Sequence, residues 1–102
     1  MDFKVNGKDY ELKYTFNSFN YMRELNFDKL NNIEKTPFEM IPMLEMMIMG
    51  GLNHNPKKKF DVASVQDAIE EYADENSIAE LFPELFALLE ESRFFKALQK
   101  NQ

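Results

Sequence analysis

The sequence predicts an α+β fold that is mainly α-helical, with an N-terminal β-hairpin followed by about four helices. An Asn-Gly pair stands between two runs of alternating apolar and polar residues close to the N-terminus. Downstream, between residues 17 and 99, apolar residues recur at helical spacing. With 102 residues, 44% of them hydrophobic, the chain can bury one modest core. We expect a single domain over 1–102, with the hairpin in 1–16, the helical part in 17–99 and a frayed tail in 100–102.

The hairpin prediction depends on Asn6-Gly7, because this pair favours a two-residue turn. Such a turn pairs Val5 with Lys8 and Phe3 with Tyr10. One face of the hairpin then carries Met1, Phe3, Val5, Tyr10, Leu12 and Tyr14. A register slip of one residue would mix this face with the charged one. Because an isolated hairpin is marginally stable in water, the apolar face must pack on the helices or on another chain.

Two helices are predicted in the first half of the helical part. The first begins near Ser18, with Asn17 or Ser18 as its cap. The second spans roughly 37–50. Its start is indicated by the capping box of Thr36 and Glu39 around a proline. Its end is predicted at Gly50-Gly51, because glycine commonly terminates helices.

The second half of the helical part is predicted to contain an acidic helix that begins near Ser64 and a last helix, or helix pair, after Ser77. Ser77 and Glu80 have the spacing of a capping box. The predicted apolar sides are Val65, Ala68, Ile69 and Tyr72 on the acidic helix, and Ile78, Phe82, Leu85, Phe86 and Leu89 on the last.

The second helix is rich in methionine, since residues 37–51 hold five of the seven in the chain. Met40, Met43, Leu44 and Met47 form one stripe at helical spacing, and Met46 and Met49 lie largely opposite to it. One interpretation is a central core helix, in which flexible thioethers fill irregular gaps. The other is that the side with Met46 and Met49 meets another chain, because methionine surfaces adapt to varied partners. The two interpretations are compatible.

The charge distribution restricts the classes of partner. The net charge is −6, and residues 61–102 carry ten acidic residues against three basic ones. Such a surface repels phosphate backbones, so we expect no nucleic-acid partner. No apolar run approaches the roughly 20 residues of a membrane span, and no basic leader precedes an apolar stretch. We therefore expect a soluble, intracellular protein without a membrane partner.

The residues that usually carry catalysis are scarce. The chain has no cysteine, and its one histidine, His54, lies in a polar stretch. No nucleophile has a base at a recognisable spacing, and no metal-ligand or phosphate-loop motif is present. We expect a non-enzymatic protein with no catalytic residue, cofactor or metal.

The N-terminal stretch FKVNGKDYELKYTF resembles the opening of the tail assembly chaperones of long-tailed, siphovirus-type phages and prophages of Gram-positive bacteria. The matching positions are Phe3, Val5, Asn6, Gly7, Lys8, Tyr10, Leu12, Tyr14 and Phe16. The later order is similar too, with an apolar middle helix, an acidic helix and the final LLEESRFFKAL. The resemblance covers most of the chain.

The resemblance implies a protein that keeps the long, helical tape measure protein soluble until tail-tube subunits displace it. It implies the host bacterial cytoplasm as the location, and absence from the mature virion. Homo-oligomers are expected, as is a frameshift-extended form of the chain, for which Gln99, Lys100 and Asn101 permit a run of adenines in the gene. Many weak contacts along one client would sum to stable binding.

We expect partner binding through apolar side chains of the methionine helix and the last helix: Met43, Met46, Met47, Met49, Phe94 and Phe95. Two alternatives remain open. One is an acidic inhibitor that imitates nucleic acid, in which Glu70, Glu71, Asp74 and Glu75 would matter more. The other is a small structural or adaptor subunit retained in the particle.

Overall fold

The computed structural model describes residues 1–24, 37–57 and 59–99. Two antiparallel strands come first, followed within this part of the chain by five helices. Their bounds are β1 Asp2–Val5, β2 Lys8–Glu11, α1 Phe16–Glu24, α2 Pro37–Leu52, α3 Val62–Glu75, α4 Ile78–Glu91 and α5 Arg93–Gln99. The predicted fold class, mainly helical with an N-terminal hairpin, is confirmed. The predicted final helix is a pair, because the extended backbone of Ser92 separates α4 from α5.

The hairpin has the predicted register. Val5 pairs with Lys8 and Phe3 pairs with Tyr10. Asn6 and Gly7 have φ values of 51° and 80°, and positive φ at both central residues is what a type I′ turn requires. The predicted apolar face is directed into the protein, with Phe3, Val5, Leu12 and Tyr14 buried and Met1 and Tyr10 partly exposed.

Helix α1 begins two residues earlier than predicted, and Phe16 belongs to it rather than to the hairpin. Thr15 precedes the helix, and its backbone N–H donates to Ser18 Oγ at 3.0 Å. In return, the Ser18 N–H donates to Thr15 Oγ1 at 3.4 Å. This is a reciprocal capping box with serine in the place of the usual glutamate. Ser18 is therefore inside the first turn, where Asn17 or Ser18 was expected to be the cap.

Helix α2 begins at Pro37 as predicted, and the capping residue Thr36 lies outside the described residues. It continues through Gly50 and Gly51 to Leu52, so the predicted stop at the two glycines is wrong. Their function is close packing. A Cβ on Gly50 would lie 2.5 Å from Met22 Sδ of α1, and one on Gly51 would lie 3.1 Å from Leu12 Cδ2.

Asn53 holds the connection between α2 and α3. Its buried carboxamide donates to the Met49 carbonyl at 2.8 Å and accepts from the Phe60 N–H at 2.9 Å. The Asn17 side chain donates to the Asn53 carbonyl at 2.7 Å. These bonds satisfy polar groups at the end of α2 and fix it against α1.

Helices α3 and α4 begin differently from the sequence prediction. Asp61 caps α3, since its carboxylate accepts from the Ser64 N–H at 2.7 Å, so the helix begins at Val62, two residues before the predicted start at Ser64. Ser77 does precede α4, but its side chain makes no capping hydrogen bond, and the predicted capping box with Glu80 does not form. The buried side of α4 includes Leu81 in addition to the predicted Phe82, Leu85 and Leu89.

The core is organised around α2, which packs against β2, α1 and α3. Buried side chains from the hairpin, α1, α2, α3 and α4 form one cluster. Tyr14 connects the hairpin to the centre of α2, because its hydroxyl donates to the Met47 carbonyl at 2.7 Å in a buried position. The single-domain boundaries stay a prediction.

Candidate partner-binding groove

The structure divides the six predicted partner-binding residues into two groups. Met46, Met47 and Met49 are 7%, 0% and 1% exposed, and Met43 is partly buried. Phe94 and Phe95 are partly exposed on α5. The expectation that Met46 and Met49 lie on an accessible side of the helix is wrong for the folded chain. The hairpin, α1 and α3 all pack on α2, so both sides of the methionine helix lie in the core.

Phe94 and Phe95 belong to a cluster of aromatic rings that joins α5 to α1. The Phe94 ring contacts Phe16 edge to face at 5.1 Å between centroids, and contacts Phe19 at 5.3 Å. Phe95 also stacks with Phe19, at 6.4 Å between ring centroids. Tyr14 completes the cluster, with its ring 6.2 Å from Phe19. We call these five residues the aromatic cluster.

An open groove runs along one edge of the aromatic cluster, with a volume of about 720 Å³. We call it the Phe16 groove. One wall is the segment that leaves the hairpin, and the other is the junction of α4 and α5. The lining residues are Lys13, Tyr14, Thr15, Phe16, Leu88, Glu91, Ser92, Arg93, Phe94 and Ala97.

Phe16 is the most unusual residue of the groove, because 66% of its side chain is exposed. The capping box of Thr15 and Ser18 makes Phe16 the first residue of α1, and its ring lies at the protein surface. The T-shaped contact with Phe94 holds the exposed ring in a preferred aromatic geometry. The two contacting rings therefore form an apolar part of the groove lining.

The rim of the groove carries both signs of charge. Lys13 pairs with Glu11 outside the groove, at 3.2 Å between Nζ and Oε1. Arg93 and Glu91 are exposed on the α4–α5 side. A floor of phenylalanine and leucine with a polar rim is the chemistry that receives an amphipathic helix.

A second, chemically different surface lies on α3. Its exposed acidic residues Asp67, Glu70, Glu71 and Asp74 line a shallow recess together with Asn6 of the hairpin turn. Burial, and after it the negative charges of Glu84 and Glu80, raise the pKa of Tyr72. Glu84 and Glu80 of α4 therefore lie close enough to Tyr72 of α3 to act on its hydroxyl.

No protein-family model, curated protein or solved structure matches this chain.

Within the described ranges, no group of three or more His, Asp or Glu side chains is arranged to hold a metal ion. None of the helices in this part of the chain is long and apolar enough to cross a membrane. His54 uses its backbone carbonyl to accept a hydrogen bond from Thr15 Oγ1 at 2.9 Å.

The Phe16 groove was partly predictable from the sequence. Phe94 was identified, because two adjacent phenylalanines on one helix cannot both face the core. The sequence prediction does not include Phe16 among the binding residues, because it places Phe16 at the end of the hairpin. The spacing of Thr15 and Ser18 was the available signal, since a reciprocal cap moves the helix start to Phe16 and exposes its side chain.

Proposed function

We propose that this chain is a non-enzymatic assembly chaperone that holds an apolar stripe of a helical client in the Phe16 groove. The observation that carries the proposal is the 66% exposure of Phe16, whose ring contacts Phe94 where both line the groove. A phenylalanine held in contact with water costs free energy that a bound apolar side chain would recover. The resemblance of residues 3–16 to tail assembly chaperones suggests the tape measure protein as the client.

The charge distribution supports the same proposal. The exposed carboxylates of α3 lie outside the groove, whereas Glu91 of α4 lines it. When several copies coat one client, these like charges would keep the coated chain soluble and oppose further association. A contact limited to one small groove would be weak enough for tail-tube subunits to displace it, while many copies would act together.

The test is co-production with a segment of the tape measure protein encoded by the same phage or prophage. The measured quantity is the fraction of that segment in the soluble extract. We expect the unmodified chain to keep it soluble and Phe16→Ser to lower the soluble fraction several-fold. Because Phe16 is largely exposed, the substitution leaves the fold intact, which circular dichroism verifies.

Val62→Ser provides the matched control. Val62 is also an exposed apolar residue, at 43%, but it does not line the groove. The Val62→Ser variant is expected to keep the client as soluble as the unmodified chain does. Equal losses for Val62→Ser and Phe16→Ser would contradict a specific groove, and a client that stays insoluble with the unmodified chain would contradict the chaperone proposal.

A second candidate function is that of an acidic inhibitor of a DNA-binding enzyme, favoured by the recess of Asp67, Glu70, Glu71 and Asp74. It predicts binding that weakens steeply with salt. Glu70→Gln combined with Asp74→Asn would abolish this binding, whereas the chaperone proposal expects client holding to survive both substitutions.

A further inference from the structure

The turn of the hairpin contains the one asparagine of the chain that is followed by glycine. Asn6 and Gly7 are both exposed. A Cβ built on Gly7 would meet nothing within 4 Å, so the space beside its Cα is open. The strand pairing closes at Val5 and Lys8, which leaves the Gly7 amide outside the ladder.

We infer that Asn6-Gly7 is a site of self-modification by intramolecular deamidation. The Gly7 backbone nitrogen attacks the Asn6 side-chain carbonyl carbon, and a new C–N bond closes a five-membered succinimide ring. The side-chain nitrogen leaves as ammonia, taking up the proton that the Gly7 nitrogen loses. Water then adds to either ring carbonyl and opens the ring to aspartate or to isoaspartate.

The other asparagines of the described part are held or blocked, and the Asn20 side-chain oxygen accepts from Arg23 Nη2 at 2.6 Å. The Asn17, Asn53 and Asn76 carboxamides each donate a hydrogen bond to a backbone carbonyl. Asn55 precedes Pro56, whose nitrogen carries no hydrogen and cannot close the ring. The reaction is therefore concentrated at Asn6.

The surroundings of Asn6 make the modification consequential. Asp67, Glu70, Glu71 and Asp74 of α3 line the recess to which Asn6 belongs. Either product adds a carboxylate beside these four acidic groups and repels α3. Isoaspartate also adds one backbone atom to a two-residue turn, and so disturbs the register that buries Phe3 and Val5.

The test is incubation of the folded protein near neutral pH at 37 °C, followed by peptide mapping with mass spectrometry. An isoaspartyl methyltransferase reaction separates isoaspartate from aspartate. We expect Asn6 to be modified at least tenfold faster than Asn17, Asn53 or Asn76, with isoaspartate among the products. Modification of Asn6 no faster than these three would overturn the inference.

A pair of variants tests the electrostatic consequence. Asn6→Asp keeps a residue that this turn type accepts and places the new charge beside α3. Asn55→Asp adds the same charge in an exposed loop, where the aspartate can still accept from the Lys57 N–H. We expect Asn6→Asp to lower the melting temperature more at low salt than at high salt, and Asn55→Asp to lower it less. Equal effects would overturn the assigned role of the α3 carboxylates.

Discussion

At the scale of single residues, Tyr14 ties the hairpin to α2 through a buried phenol that donates to the Met47 carbonyl at 2.7 Å. Tyr14→Phe removes this hydrogen bond and leaves no large cavity. We expect a loss of roughly 0.5–1.5 kcal/mol in the free energy of unfolding, measured by urea denaturation. An unchanged unfolding midpoint would contradict a stabilising role for the hydroxyl.

The burial of the Tyr14 phenol also leads us to predict that stability depends on pH in the alkaline range. Burial raises the pKa of Tyr14 above its ordinary value of 10.0, so the folded state keeps a proton that the unfolded state releases. The contribution is fully present below that ordinary pKa and is lost as the pH rises above it. The stability difference between the unmodified chain and Tyr14→Phe should therefore be constant below pH about 10 and shrink as the pH rises above that value.

Gly50 marks the closest approach of α1 and α2. Alanine normally stabilises a helix interior by about 1 kcal/mol relative to glycine. Here, a Cβ would lie 2.5 Å from Met22 Cγ and Sδ in a fully packed region. We expect Gly50→Ala to destabilise the protein by about 1–3 kcal/mol, measured by thermal and urea unfolding.

Gly51→Ala is the graded control for this prediction. Its Cβ would meet Leu12 Cδ2 at 3.1 Å, a contact that a small side-chain shift can relieve. The cost should be clearly smaller than at Gly50. The reverse order would mean that helical backbone preference, rather than packing, decides these positions.

At the scale of elements, the methionine helix is a core element with one accessible edge. Met46 and Met49 are almost fully buried, whereas Ile41 of the same helix is 58% exposed. We expect Met46→Gln and Met49→Gln each to destabilise the protein by roughly 2–5 kcal/mol, because each removes apolar packing and buries an amide. Urea denaturation measures the loss.

Ile41→Gln is the matched control within α2. At this exposure the same type of change should alter the free energy of unfolding by at most about 0.5 kcal/mol. If Met46→Gln left stability unchanged while client holding was lost, the assignment of Met46 to the core would fail.

The elements also explain which features were predictable from the sequence. The hairpin register follows from Asn6-Gly7 and from alternation within fourteen residues, so local information was sufficient. The end of α2 was not predictable from local signals. Gly50 and Gly51 resemble a helix stop in sequence, and their real partners, Met22 and Leu12, are remote along the chain.

The sequence did not determine whether the second side of α2 is buried, for a related reason. The helical spacing of the apolar residues correctly identified a helix that is apolar almost all round. It left open whether the second side of this helix meets the core or another chain. The answer depends on how many elements surround α2, which the periodicity of one helix does not contain.

At the scale of the whole molecule, the hairpin is part of the hydrophobic core and not an addition to its surface. Phe3, Val5, Leu12 and Tyr14 belong to the same buried cluster as the α2 methionines. We expect a chain without residues 1–14 to lose cooperative thermal unfolding and to bind a hydrophobic dye, because Met47 and Met49 would be uncovered. Retention of a sharp transition would show that the helices fold alone and would contradict the predicted single domain.

At the same scale, acidic side chains and accessible aromatic rings are distributed unevenly over the molecule. Acidic side chains are concentrated on α3 and α4, whereas the accessible aromatic rings are concentrated where α1 meets α5. Composition predicted both kinds of surface. It did not predict their location, since Phe16 and Phe94 are 78 positions apart in the sequence and come together only through the fold.

Because the hairpin packs on α2 and α3, it cannot complete its packing during synthesis until these helices have been made. Residues 1–14 leave the ribosome well before their partners, because Met47 and Tyr72 are made later. Until then the paired strands have nothing to cover Phe3 and Val5, and a lone hairpin is marginal. The apolar face of the hairpin therefore stays exposed on the nascent chain until α3 has emerged. Folding is delayed until most of the polypeptide has been synthesised.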